Sequence, residues 1–170
     1  MKVTMPKAHV GLVVAALMLI ASGLHAEIPR QPANACKGQA ELSPLQPLVL
    51  KTQKGDFRFK VEVADSETER NFGLMCRRGL APEKGMLFDF GAPRPDAAFW
   101  MRNTLISLDI IYVRPNGTVL SIARNARPHD ETPLPAGGPV QWVLEVAAGR
   151  AGEMGVLPGD SVISPVIRPR

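Results

Sequence analysis

Apolar and polar positions alternate most regularly at Phe57-Arg58-Phe59-Lys60-Val61-Glu62-Val63, where every second side chain is apolar. A period of two places the apolar side chains on one face of an extended chain, so the spacing predicts a half-buried strand. Leu48-Val49-Leu50 precedes it with Lys54-Gly55-Asp56 between, which predicts a hairpin. Ser66, followed three residues later by Glu69, reads as a capping box, and the helix it opens should end near Gly73. Gly85 to Phe90 and Ala97 to Met101 are apolar runs of strand length, parted by Gly91-Ala92-Pro93-Arg94-Pro95. Leu108 to Val113 and Thr118 to Ile122 flank Pro115-Asn116-Gly117, and Asn-Gly between two such runs is a strong hairpin signal. Asn116-Gly117-Thr118 also matches a glycosylation sequon, but turn chemistry explains it more simply.

Arg127 to Pro139 carries four prolines and two glycines with no apolar period, and connections of that length are often functional or mobile. A further strand is predicted from Gln141 to Val146, a short helix from Ala147 to Met154, and a last strand from Ser161 to Ile167 after Pro158-Gly159-Asp160. Seven or eight short strands with Gly and Pro punctuation and two short helices predict a mainly β fold, an antiparallel sandwich or barrel.

The N-terminus follows another pattern. Lys2 and Lys7 precede an uncharged apolar run from Val10 to Ile20, and the small residues Ala21, Ser22, Gly23 and Ala26 come next. This is the order of a secretion signal, and the run is short of the roughly 20 apolar residues a spanning helix needs. The expectation is a signal peptide over 1–26, with Gly23 as the competing cleavage site, and an exported product, periplasmic or extracellular, that meets the membrane only during export. An uncleaved anchor is the alternative. A lipoprotein would carry its acylated Cys directly after the apolar run, whereas the first cysteine is Cys36.

Removing 26 of the 170 residues leaves 144, enough for one domain with a real core. Residues 27–47, rich in Pro, Gln, Ala and Asn, read as an extended lead-in, and 48–170 as a single β domain. The formal charge of +4 falls to +2 once Lys2 and Lys7 leave. No Lys/Arg stripe with interleaved aromatics remains, so nucleic acid is not an expected partner; Arg168 and Arg170 read as a solvated tail. An oxidising compartment pairs thiols that can meet, so a Cys36 to Cys76 disulfide is expected to tether the lead-in to the domain. Free thiols or a redox pair are the alternatives, the latter without Cys-x-x-Cys spacing to support it.

Glu69 to Arg77 (Glu-Arg-Asn-Phe-Gly-Leu-Met-Cys-Arg), Gly85 to Phe90, and Phe99 to Tyr112 together resemble the family called domain of unknown function 192 (DUF192). The likeness continues through Trp142 to Gly149 and Gly159-Asp160, covering about all the chain from Leu48 onward. The resemblance implies a β-sandwich of jelly-roll character. The family has no established reaction, so no catalytic residues carry over from it.

Candidate chemistry therefore rests on the residues. Alternation puts Asp109 on the face of Ile111 and Val113, and Glu145 on the face of Val143, so each acid interrupts an apolar face. A carboxylate there must be paired, neutralised or opened to a cleft. Arg70, Arg77 and Arg102 are available partners, since guanidinium holds carboxylate bidentately. The candidate ligand site is thus a polar cluster of Arg77, Arg102, Asn103, Asp109 and Glu145, with buried ion pairs that fix register as the structural alternative. Asp109 and Glu145 as acid and base of a hydrolase is a second alternative, provided their separation suits. Ser107 and Ser121 have no nearby His motif, and His129-Asp130-Glu131 has one His only, so neither a triad nor a metal is expected. Met75, Met86, Met101 and Met154 are soft copper ligands in principle, but packing among Leu, Phe and Trp explains them. Trp100 and Trp142 could stack on a sugar or belong to the core. No pattern requires a cofactor. The expectation is a noncatalytic ligand-binding or accessory module of the cell envelope, its partner a small polar ligand or an envelope glycan.

Overall fold

A computed structural model describes residues 36–168. The expected signal peptide and the first part of the lead-in lie outside the described residues. The chain runs through β1 (Gln46–Thr52), β2 (Gly55–Ala64), α1 (Glu67–Phe72), β3 (Lys84–Arg94) and β4 (Ala98–Phe99). It continues through β5 (Leu108–Val113), β6 (Val119–Ala126), β7 (Leu134–Pro135), β8 (Val140–Ala147), α2 (Arg150–Glu153) and β9 (Ser161–Ile163).

The local signals act as their chemistry requires. β1 and β2 pair antiparallel, with Leu48 opposite Phe59 and Leu50 opposite Phe57, so alternate side chains meet on one face. At the start of α1 the Ser66 hydroxyl accepts from the Glu69 N–H, and the Glu69 carboxylate accepts from the Ser66 N–H. In the β5–β6 turn the Asn116 side chain accepts from the Thr118 N–H at 3.1 Å, a local ring that sets the hairpin.

Seven strands form one sheet in the order β6-β5-β8-β3-β2-β1-β9. Its neighbours are antiparallel except β2 and β3, which run parallel. The expected antiparallel sandwich is therefore replaced by a single mixed sheet, with β4 and β7 as a separate two-stranded ribbon. Parallel neighbours need a crossover of a dozen or more residues, and the segment between β2 and β3 that contains α1 supplies one.

The sheet curls. Thr118 bridges Ser161, the Val119 N–H donates to the Asp160 carbonyl at 2.8 Å, and the Val162 N–H donates to the Gly117 carbonyl at 2.9 Å. These bonds return β9 to the start of β6 and make a half-barrel. Inside it lies one core, with Leu50, Val61, Leu87, Ile111, Trp142 and Leu144 fully or almost fully buried and Met154 after α2 closing an end. Outside, on β3, β5 and β8, lies a second core that includes Met86, Phe88, Met101, Ile110, Tyr112 and Val143. Burying a large apolar side chain contributes about 1.5–3 kcal/mol, so both faces of the three central strands contribute to stability.

Three elements are shorter than the sequence predicts. The run Ala97 to Met101 pairs only at Ala98 and Phe99, against Pro135 and Leu134 in β7, so the proline-rich segment from Arg127 is partly structured. β8 extends to Ala147, leaving α2 a single turn. β9 stops at Ile163, two residues before Pro165, and the Ile167 N–H turns back to the Ser164 carbonyl. Cys36 and Cys76 form a disulfide with a Cα–Cα distance of 5.6 Å, as expected. It fastens a strap: Gln39 donates to the Glu69 and Gly73 carbonyls at the end of α1, and Leu42 packs on the second core. Among the described residues no helix is long and apolar enough to cross a membrane.

Candidate functional site

The five residues expected to form one polar cluster are dispersed by the strand register. Asp109 lies opposite Val146, and Glu145 lies opposite Ile110 on one side and Met86 on the other. Directly paired residues share a face, so Asp109 points into the half-barrel and Glu145 points to the outer core. The two acids therefore cannot act together on one substrate, which removes the hydrolase geometry. Asp109, 0% exposed, accepts from the Asn125 N–H and from the Ala151 N–H, each at 2.8 Å. It ties an irregular stretch of β6 and the first residues of α2 to β5, which is a structural latch.

Arg77 meets neither acid. Its guanidinium pairs with Glu62 at 2.9 Å, and Glu62, 4% exposed, also accepts from the Leu42 N–H at 2.7 Å. Arg102 is exposed, pairs with Glu131 at 3.0 Å and stacks over Trp100 with its guanidinium carbon 4.8 Å from the ring centroid. Asn103 is exposed in a left-handed conformation (φ 54°), where its carbonyl accepts from the Cys76 N–H at 2.8 Å. Of the five, Arg102 and Glu145 line one cavity.

That cavity has a volume of about 700 Å³ and lies between the end of α1, the last part of β3, β4 and the segment after it. Leu74, Phe88 and Phe99 form its inner wall, and the more exposed Phe72 and Trp100 stand nearer solvent. Phe88 and Phe99 meet edge to face with centroids 4.9 Å apart, and Phe99 meets Tyr112 the same way at 6.1 Å. Gly73 closes the end of α1 at φ 48°, and a Cβ there would stand 3.1 Å from the Phe88 ring. Gly85 does similar work below, since a Cβ on it would lie 2.7 Å from the Glu145 carbonyl and force β3 from β8.

Glu145 is 4% exposed, yet its carboxyl reaches the cavity. Among the described residues no donor or cation is placed to bind it, and burial pushes the carboxyl up to about 8. It is therefore a neutral acid at pH 7, with one donor and one acceptor oxygen to offer. Burial first and the Glu145 charge second raise the Tyr112 phenol above its ordinary range, and its hydroxyl donates to the Leu134 carbonyl. Arg70, at the rim, donates to the Asp65 and Asp89 carbonyls and lies 5.8 Å from the Phe90 centroid.

The sequence singled out Glu145 but not the wall around it. In the sequence Arg70 reads only as a partner for an acid, and the placement of Phe72, Leu74, Phe88 and Phe99 around one space depends on the crossover after β2. Trp142 is buried inside the half-barrel while Trp100 is half exposed, so they do not share a platform. Met86, Met101 and Met154 are fully buried, and Met75 lines the cavity. Among the described residues no cluster of three His, Cys, Asp or Glu could hold a metal ion, and His129 is exposed.

A family model, DUF192, described as an uncharacterized ACR, matches residues 49–164. No curated protein matches the chain. Among solved structures, a protein of unknown function from Novosphingobium aromaticivorans is 43% identical with a TM-score of 0.69; the match covers 79% of this chain and 97% of that one. A candidate transcription regulator from Sinorhizobium meliloti is 39% identical with a TM-score of 0.70, over 75% of this chain and 98% of that one.

Proposed function

Because this chain belongs to the DUF192 family, whose description assigns no reaction, we propose from its geometry that it is a noncatalytic binding module for a small polar ligand. One observation carries the reading: the Glu145 carboxyl, without a partner among the described residues, stands in a cavity of about 700 Å³ whose inner wall is apolar and aromatic. Such a cavity, mostly apolar with a few convergent polar groups, is the ordinary form of a small-molecule site. A buried carboxyl left unpaired is costly, and a ligand that bonds to it recovers part of that cost. The exposed Trp100 at the mouth adds a face on which a sugar ring or other flat group can stack.

The reading includes an address. The leader expected over 1–26 and the disulfide suit a cell-envelope protein whose domain, 48–170 with its strap, meets envelope glycans or small solutes. The description of the Sinorhizobium neighbour as a candidate regulator gains no support from this sequence, which lacks the basic stripe that phosphate tracking requires.

The test is a thermal-shift screen of the disulfide-intact protein against sugars, peptidoglycan fragments, small polar solutes and metals. A ligand that raises the melting temperature of the native protein but not of Glu145→Leu supports the reading. A flat response across all four groups defeats it.

A further inference from the structure

We propose that the inner end of this cavity receives a neutral amide, with Glu145 as a protonated hydrogen-bond donor and the amide N–H returning a bond to the other carboxyl oxygen. This rests on the cavity being a ligand site and goes further by naming what it holds. A carboxylic acid presents one O–H and one acceptor oxygen in a plane, and a primary amide presents the complementary pair. Paired, each supplies a bond that the other can take: the acid O–H to the amide oxygen, and one amide N–H to the second carboxyl oxygen.

The surroundings decide between a neutral and a charged guest. At the Glu145 register the flanking residues are Met86 on β3 and Ile110 on β5, and neither carries charge. The Tyr112 phenol of β5 is committed to the Leu134 carbonyl. The charged residues lining the cavity are Glu67 and Arg70 from α1, Arg94 at the end of β3, Asp96 after it, and Arg102. Arg70 is held by two backbone carbonyls and Arg102 by Glu131, so neither serves as the Glu145 counter-ion. With Arg102 paired to Glu131, the other charges of the lining balance, Arg70 and Arg94 against Glu67 and Asp96, so apart from Glu145 it offers a cation no surplus of negative charge. An anion would arrive at a carboxyl with which it would compete for the proton. An amide meets neither obstacle.

Benzamide, benzamidinium and benzoate share a shape and differ in charge at the inner end, so they separate the possibilities. Each is titrated into the disulfide-intact protein, and binding is followed calorimetrically and by NMR shifts of the Leu144, Glu145 and Val146 amides. Benzamide should bind at pH 6.5, more tightly than the other two, and weaken about thirtyfold by pH 9.5, because a carboxyl that titrates at about 8 loses its donor over that range. Glu145→Gln, which keeps a donor and an acceptor but does not titrate, should bind benzamide with no such pH dependence. Benzamidinium binding more tightly than benzamide, or pH-independent benzamide binding by the native protein, overturns the amide assignment and leaves the cavity a ligand site. Failure of all three probes to shift those amides overturns both.

Discussion

Asp109 and Glu145 sit on facing strands one residue out of register, and both carboxyls are withdrawn from water, yet their circumstances are opposite. Asp109, inside the half-barrel, accepts from two backbone N–H groups. Glu145, on the outer face, has a cavity where Asp109 has partners. Glu62 is a third case, covered by the strap and neutralised by Arg77 and the Leu42 N–H. Burial of an acid is thus not in itself a mark of function. The acid whose hydrogen-bonding capacity is left unfilled beside empty space is the one with something to bind.

Substitutions at each acid separate these cases. Asp109→Ala should have the largest effect, a loss of about 3 kcal/mol in urea unfolding, because two bonds to the carboxyl go and the Ala151 N–H is left buried. Arg77→Ala should cost about 2 kcal/mol, less because the arginine is partly exposed and solvent can reach the Glu62 it abandons. Glu145→Leu should go the other way, stabilising by about 1–2 kcal/mol at pH 8. The folded protein holds the Glu145 proton more tightly than the unfolded chain, up to about 8 against the ordinary 4.5. The contribution of the neutral acid is therefore full below about pH 4.5 and is lost as the pH rises to about 8, so the gain from Glu145→Leu should grow across that window. If unfolding curves at pH 5 and pH 8 give the same difference between native and variant, Glu145 is already paired and the contrast fails. Ser66→Ala, remote from all three acids, should cost about 1 kcal/mol by loss of the α1 cap and supplies a scale for the others.

The sequence displayed what is decided within a few residues. The alternation in β2, the capping box at Ser66 and the Asn116-Gly117 turn each rest on neighbours along the chain, and each is present. The parallel β2–β3 pair and the curl that returns β9 to β6 depend on contacts between distant residues, for which no local pattern exists. The acids follow the same division. Asp109 and Glu145 were legible as interruptions of apolar faces, but only the β5–β8 register shows that those faces are opposite. Glu62 was hidden for a different reason: its alternation with Lys60 and Arg58 marks a solvent face, and the strap and Arg77 cover it from elsewhere.

The strap also has a bearing on how the protein matures. One covalent bond holds the segment from Cys36 to Leu42, which supplies the Gln39 bonds that close α1 and the N–H that Glu62 requires. Cys76 directly follows Met75 in the cavity wall. Oxidation therefore fixes the strap beside a segment that lines the cavity, and protein made where thiols stay reduced should share the β spectrum of the oxidised form while differing in ligand response. Preparations that look identical by secondary structure can thus differ in competence, and a count of free thiols is the assay that tells them apart.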